Sequence, residues 1–262
     1  MTGNMTTVAC PHCGSTETTL RRERIRYDIR RDVRECNACD LVFLWPIEPE
    51  QNKAADFYQK EQFRNMPRES LGLASHSKEQ DIFQTRLGQA QRRLDGVLPH
   101  MDGHSSLLEI GCSAGSFVSL AKKHFPSVTA VELDPTFAQF TRQTQNIDVL
   151  ETPLEDLDPA TQKYDVICMW HVLEHLANPW QTLRRLSDLL NDGGLLAIEV
   201  PNIEDPLLTR FDCKPFEAFY YQEPHLYYFS PKTLADAFAE AGWDATVSPV
   251  QIYSLWNHLN WA

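Results

Sequence analysis

Between residues 24 and 34 apolar and charged positions mostly alternate: Ile25, Tyr27, Ile29 and Val33 fall on odd numbers, Arg31 being the exception, and Arg24, Arg26, Asp28, Arg30, Asp32 and Arg34 on even ones. A period of two is that of a strand with one charged face. Leu41 to Trp45 is an apolar run ended by Pro46, and Glu48-Pro49-Glu50 reads as a boundary. A short aromatic-bearing helix over 54–63 and a polar loop over 65–77 follow. From Lys78 to Leu98 the apolar residues Ile82, Leu87, Ala90, Leu94, Val97 and Leu98 recur at roughly helical spacing, which predicts an amphipathic helix ended by Pro99.

Beyond this point strands and helices alternate. Strands are predicted at Leu107–Ile110, Val128–Val131, Asp148–Leu150, Tyr164–Trp170 and Leu195–Val200. Helices are predicted from Phe117, over Pro135–Gln145, from Pro179 to the stop at Asn191-Asp192-Gly193-Gly194, and from Ser230-Pro231 to Ala241. Trp243–Val250 reads as a further strand and Ile252–Leu255 as a weak last one. The alternation implies an α/β fold with a doubly wound, mostly parallel sheet, whose ligands sit at the carboxyl ends of the strands.

Composition narrows the partners. The chain has 262 residues, 42% of them hydrophobic, and a formal charge of −12. That charge disfavours a nucleic-acid or anionic-membrane partner, both of which are held mainly by clustered Lys and Arg. No apolar run approaches the roughly 18 residues of a membrane span, and the start lacks the pattern of a signal peptide, so the expected location is the cytoplasm. Trp256 to Ala262 carries tryptophans to the chain end, which suggests a longer parent protein or a partner there. A homo-oligomer is left open.

Four of the seven cysteines form two Cys-x-x-Cys knuckles, Cys10/Cys13 and Cys36/Cys39, with 22 residues between them. Two such pairs at this spacing point to a structural tetrahedral Zn²⁺ far more than to a redox dithiol. His12 is then an exposed knuckle residue, since four thiolates already close the site. The arginines between the knuckles alternate with Asp28 and Asp32, so a solvated edge is the better reading than a phosphate track. So small a unit buries little core, and the metal is expected to supply much of its folding energy.

Glu109-Ile110-Gly111-Cys112-Ser113-Ala114-Gly115 stands at a strand-to-helix junction. Two glycines four apart let the backbone approach a ligand and leave amide groups aimed at it. Glu132 ends the next strand 21 residues after Gly111, where βαβ nucleotide sites place the acid that binds ribose hydroxyls. His171-Val172-Leu173-Glu174-His175 matches the inverted zinc-protease pattern, but it follows a strand at once and Asn178-Pro179 opens a new helix, so a single metal-binding helix is not expected.

Taken together, Glu109-x-Gly111-x-Ser113-x-Gly115, Glu132, the Asp165 strand with His171 to Leu176, and Gly193-Gly194 before a strand ending Pro201-Asn202 resemble the class I S-adenosylmethionine-dependent methyltransferases. With the two knuckles, Phe57-Tyr58 and His225 to Ser230, the chain is similar to the zinc-containing sugar methyltransferases. The resemblance implies a Rossmann-like methyltransferase domain over 101–262, a zinc ribbon over 1–46 and a helical linker or cap over 47–100. It implies that S-adenosyl-L-methionine is held by Glu109, Gly111, Ser113 and Gly115 at the methionine end, Glu132 at the ribose, Leu154 and Glu155 at the adenine, with Trp170 lining the site. Ser113 replaces the usual middle glycine, and Glu223-Pro224-His225 stands where C-methylating members carry His-Glu-His.

The expected activity is therefore methyl transfer to a small polar acceptor, a hydroxyl of a sugar or nucleotide-linked sugar. His225 is the first candidate for the base that removes the hydroxyl proton, His171 and His175 the second, with Tyr58, Glu223 and Tyr227 at the substrate. An RNA or protein methyltransferase recruited through the ribbon, and a non-catalytic zinc-ribbon interaction protein, are the alternatives.

Overall fold

The computed structural model describes residues 7–47, 74, 77–101, 103–252 and 261. The expected helix over 54–63, Tyr58 and nearly all of the last strand lie outside the described residues, as does most of the expected loop over 65–77. The chain divides into two compact units, each assembled from separate segments: residues 1–48, 174–180 and 200–262 form one, and 49–173 with 181–199 the other.

In the first unit the alternating stretch is a hairpin, β1 (Thr18–Ile25) and β2 (Ile29–Cys36), continued by β3 (Val42–Trp45). The pattern read as one strand is broken at Arg26–Asp28, where Tyr27 and Asp28 take positive φ. Tyr27, counted on the apolar face, therefore sits in the turn and is 65% exposed. The charged face pairs internally: Arg21 with Glu35, Arg24 with Asp28 and Arg34 with Asp32. Acids and arginines side by side make this a solvated edge, as the alternation predicts.

In the second unit the first described element is α1 (Glu79–Val97), followed by β4 (Ser106–Ile110), α2 (Ser116–Ala121), β5 (Ser127–Val131), α3 (Pro135–Gln145), β6 (Asp148–Leu150) and β7 (Tyr164–Trp170). After α4 (Pro179–Asp188), β8 (Leu190–Glu199) completes a parallel five-stranded sheet of order β6-β5-β4-β7-β8. β8 starts five residues before the expected Leu195, because Leu190 already pairs with Tyr164; the register then shifts so that Leu195 meets Val166. The core of this unit is apolar side chains of the sheet and helices, among them Leu94, Leu107, Val118, Phe117, Ala130 and Cys168. The strand order reverses direction beside β4, which puts the switch point at the end of Glu109-Ile110.

The remaining elements return to the first unit: α5 (Pro206–Thr209), α6 (Lys214–Tyr220), β9 (Tyr227–Tyr228) and α7 (Pro231–Glu240). β9 joins the ribbon sheet, pairing Tyr227 with Phe43 and Tyr228 with Val42 in the order β1-β2-β3-β9. The grouping thus differs from the sequence boundaries, which assign everything after residue 101 to the cofactor domain. Residues 243–250 form no strand: no described segment offers them a pairing partner, and most of them are exposed. Among the described residues no helix is long and apolar enough to cross a membrane.

Asp165 fixes the base of the parallel sheet. Its carboxylate accepts from the backbone N–H groups of Ser105 (2.8 Å) and Ser106 (3.0 Å), from both serine hydroxyls and from the Asn191 amide. These donors, the Ser105 N–H first, hold the acid well below the usual carboxylate range. The residue lies at the amino end of β7, the opposite end from the switch point, so its task is to align β4 and β7. Replacing it leaves several donors without an acceptor, at about 1–3 kcal/mol. Asp165→Ala is expected to lower Tm by roughly 2–10 °C in a thermal melt, with cofactor affinity at a temperature well below that Tm changed less than twofold.

Candidate functional site

The candidate cofactor cradle is built by the backbone at the β4–α2 junction. Gly111 and Gly115 have φ of +76° and +78°, and the loop between them folds back so that the N–H groups of Gly111 and Cys112 both donate to the Val131 carbonyl, at 2.8 and 3.1 Å. A Cβ on Gly111 would lie 2.6 Å from Val172 Cγ2, and one on Gly115 2.6 Å from Thr141 Cγ2. The glycines are thus required by close packing as well as by φ. Ser113 also takes positive φ, +51°, and its carbonyl accepts from Thr141 Oγ1 at 3.0 Å, which holds the strained residue in place.

Glu132 stands across this loop. Its two carboxylate oxygens accept from Ser113 N–H at 2.7 Å and Asp134 N–H at 2.9 Å. Burial raises its pKa above the ordinary carboxylate value in spite of those two donors. Each oxygen retains a lone pair for a further donor, which is what a pair of ribose hydroxyls offers. Asp134 in turn caps α3 by accepting from Thr136 N–H and Phe137 N–H.

Glu109 is 3% exposed at the end of β4, and its Oε2 is buried with no hydrogen-bond partner. Burial pushes its carboxyl up to about 8, although the charge of Arg93 pulls the other way. Ser113 Oγ and Trp170 Nε1 are likewise buried without a partner. Trp170 ends β7 and meets Phe117 of α2 edge-on, with centroids 5.1 Å apart. Three orphaned polar atoms around one glycine loop are what a polar ligand would satisfy, so the residues present fit a nucleoside-bearing amino-acid cofactor. Leu154 is buried and opens a short turn after β6, its carbonyl accepting from Arg185; Glu155 beside it is exposed.

The three histidines separate. His171, directly after β7, has φ +57°, donates its N–H to the Glu199 carbonyl and places Nε2 3.1 Å from Glu199 Oε1. Glu199 also receives Arg92 and Arg93, each at 2.6 Å. Burial alone would raise the Glu199 carboxyl, but the His171 bond and the Arg93 charge hold it well below the usual range. This network was not foreseen from the sequence, because Arg92 and Arg93 lie more than a hundred residues from Glu199. His175 and His225 belong to the first unit and share the buried Glu174; a short turn, Leu173–His175, carries the first pair. The HxxEH residues therefore do not lie on one helix.

Tyr227 is 1% exposed, donates its hydroxyl to the Ala177 carbonyl at 2.7 Å and meets Trp180 edge-on, a core placement. Glu223 lies 4.0 Å from Arg31. His12 is not the exposed knuckle residue expected: it stacks on Trp180 with centroids 4.4 Å apart and bonds Glu240 at 2.8 Å. The knuckle packs against Trp180 because imidazole and indole faces stack favourably.

The four knuckle sulfurs converge, with Cys10 and Cys39 Sγ 3.7 Å apart and Cys13 and Cys36 Sγ 3.5 Å apart. These are too long for disulfides and close to the about 3.8 Å that two ligands take around tetrahedral Zn²⁺. Burial works against ionisation of Cys36, but N–H groups of Ala38 and Cys39 outweigh it and hold the thiol below its ordinary value. The donor set fits Zn²⁺.

Residues 82–247 match a family profile described as a methyltransferase domain. The match covers more than half of the chain, the parallel sheet has the required order, and the chain belongs to this family as a class I S-adenosylmethionine-dependent methyltransferase. Among curated relatives, the malonyl-[acyl-carrier protein] O-methyltransferase of Paenibacillus sp. (strain JDR-2) is 31% identical over 34% of this chain and 36% of its own length. The ubiquinone biosynthesis O-methyltransferase of Coxiella burnetii is 26% identical over 37% of this chain and 43% of its own. The chain spans less than half the length of these relatives. Among solved structures, the magnesium protoporphyrin IX methyltransferase of Synechocystis superposes with a TM-score of 0.52 at 12% identity, over 72% of this chain and 88% of that one. The sugar N-methyltransferase KedS8 from Streptoalloteichus reaches 0.42 at 23% identity, over 48% and 55%.

Two outcomes are expected at the cradle. Glu132→Ala removes charge-assisted acceptors worth about 1.5–3 kcal/mol, so calorimetry should find S-adenosylmethionine bound about 10–100-fold more weakly; an unchanged affinity refutes the ribose assignment. Between the ordinary carboxyl value of 4.5 and about 8, the folded protein keeps a proton at Glu109 that the unfolded chain has released. Stability of the ligand-free protein therefore falls as pH rises through this window. Melts from about pH 6 to about pH 8 should show a steeper decline for wild type than for Glu109→Gln, which cannot ionise. Equal slopes would mean that the carboxyl is already ionised in the fold.

Proposed function

We propose that the chain methylates a hydroxyl of a small polar acceptor, a sugar or nucleotide-linked sugar of natural-product or surface-polysaccharide biosynthesis, in the cytoplasm, with a structural Zn²⁺ in its cysteine knuckles. Bound S-adenosylmethionine supplies a methyl group already activated on a sulfonium. Glu132 binds the ribose hydroxyls, Glu109 with the main-chain carbonyls of the Gly111–Gly115 loop, whose amides are mostly used within the protein, holds the methionine end, and Leu154 and Glu155 flank the adenine. Ser113 and Trp170 supply the remaining donors through atoms that lack partners in the protein.

The acceptor reading is carried by one observation, the buried constellation of Glu174, His175 and His225. A hydroxyl must lose its proton as the methyl group arrives, whereas a neutral amine presents a lone pair without help. An imidazole beside a carboxylate is suited to that proton, and His225 is assigned the task with His175 beside it. His171, already bonded to Glu199, is assigned to holding the shape of the segment that follows β7. Glu223 is kept on the acceptor side, and Tyr227 is left to the core. The sugar class rests on the resemblance carried by the two knuckles and the His225 to Ser230 segment; the curated relatives named above act on other acceptors.

The test is a trial of nucleotide sugars with purified protein, scored by S-adenosylhomocysteine release and by mass and NMR of the product. An O-methyl sugar is expected. A product methylated on nitrogen or carbon, or turnover confined to RNA or protein acceptors, would overturn the reading. In the active assay His225→Ala should lower kcat by about 10²–10⁴-fold while affinity for S-adenosylmethionine, measured separately, stays within a factor of about three.

A further inference from the structure

Glu174, His175 and His225 bring their ligand atoms within 4.8 Å of one another in the first unit. Glu174 is fully buried, and the side chains of His175 and His225 are 15% and 10% exposed. The Nε2 atoms of both histidines face the same oxygen: Glu174 Oε1 lies 3.6 Å from His175 Nε2 and 3.9 Å from His225 Nε2. An N–H···O bond to a carboxylate closes to about 2.7–3.2 Å, so neither spacing is that of a hydrogen bond. Two atoms that each coordinate one ion at about 2.0–2.2 Å stand about 3.3–3.6 Å apart at tetrahedral angles, and wider where the angle opens. The two separations from Glu174 Oε1 fall within the reach of atoms that share an ion.

The backbone holds the three in register. Leu226 N–H donates to the Glu174 carbonyl at 2.9 Å, which ties the segment carrying Glu174 and His175 to the one carrying His225. The two imidazole rings meet edge-on, 4.8 Å between centroids at 66°, so that they approach from different directions instead of stacking. The Gln222 amide nitrogen lies 3.0 Å from His225 Nε2 and is the group an ion would displace there; its amide oxygen is engaged by Arg26.

We infer that Glu174, His175 and His225 form a second metal site, for a divalent transition ion with Zn²⁺ as the first choice. Two neutral imidazoles and one carboxylate carry a charge of about −1 and suit ions of intermediate softness, while Mg²⁺ and Ca²⁺ require mostly oxygen ligands. Three protein ligands leave at least one coordination position for water or an oxygen of a bound molecule. The existence of the site does not depend on the proposed acceptor; its part in hydroxyl activation does. There, a bound ion would polarise the hydroxyl oxygen and lower its pKa, so that the proton leaves to solvent water, and His225, as a ligand of that ion, would give up the base role proposed above.

The decisive measurement is metal stoichiometry on the full chain, stripped with a chelator and titrated with Co²⁺. Two equivalents are expected: one with intense thiolate-to-metal charge-transfer absorption from the cysteines, and a second with weak ligand-field bands only. His175→Ala and His225→Ala should each lose the second equivalent and keep the thiolate bands, which report that the ribbon is folded; Glu174→Gln should weaken it at least tenfold. A wild-type protein that saturates at one equivalent overturns the inference without need of a variant. So does a second equivalent that survives both histidine substitutions. Two equivalents in a protein that methylates no hydroxyl would keep the site and remove only its catalytic part.

Discussion

The structure depends on how closely the backbone can turn at the end of β4. With Val172 and Thr141 each 2.6 Å from where a Cβ would stand, the loop from Gly111 to Gly115 has no room for side chains at its two ends. Its amides are consequently committed: Gly111 and Cys112 to the Val131 carbonyl, Ser113 to Glu132. The end of β4 is thereby locked to β5 by main-chain groups at Val131 and by the Glu132 carboxylate. The cost falls on the polar groups that remain. Glu109 is buried, Ser113 keeps a positive φ, and three side-chain atoms lack partners. A fold that leaves such groups together is less stable than it could be when empty, and gains what it lacks from a ligand.

Charge is treated differently at the two ends of the sheet. At the amino end, Asp165 is surrounded by donors and held ionised, a purely structural bond. At the carboxyl end, Glu199 is saturated by His171, Arg92 and Arg93, while Glu109, one strand away from β7, is left with an acidity close to neutral pH. The saturated acids hold strands in place; the unsaturated one is available to a ligand.

Much of this was legible in the sequence because it is local. Strand and helix periods gave β4 to β7 and α3 within a residue or two, and the glycine spacing marked the tight turn at the end of β4, since motif spacing encodes a backbone turn. The knuckle spacing likewise foretold four converging sulfurs. What escaped was contact between distant segments. Nothing in Arg92-Arg93 or Glu199 alone signals a shared ion pair, and nothing in Tyr227-Tyr228 signals a partner at Val42. Tyr27 was misread because alternation cannot reveal that a hairpin turns in the middle of it. Residues 243–250 have strand composition, but composition supplies no neighbour to pair with.

The pairing of β3 with β9 bears on how such a protein can be recombined. Zinc ribbons are often treated as detachable modules, cut at the residue after the last strand. Here β3 would then become an edge, with Val42 and Phe43 offering unsatisfied main-chain groups, and His12 would lose Trp180 and Glu240. The open strand is mostly apolar, the kind that joins other chains when uncovered. The ribbon is therefore heritable only together with residues 174–180 and 200–240, as three distant stretches of sequence that have to travel as one.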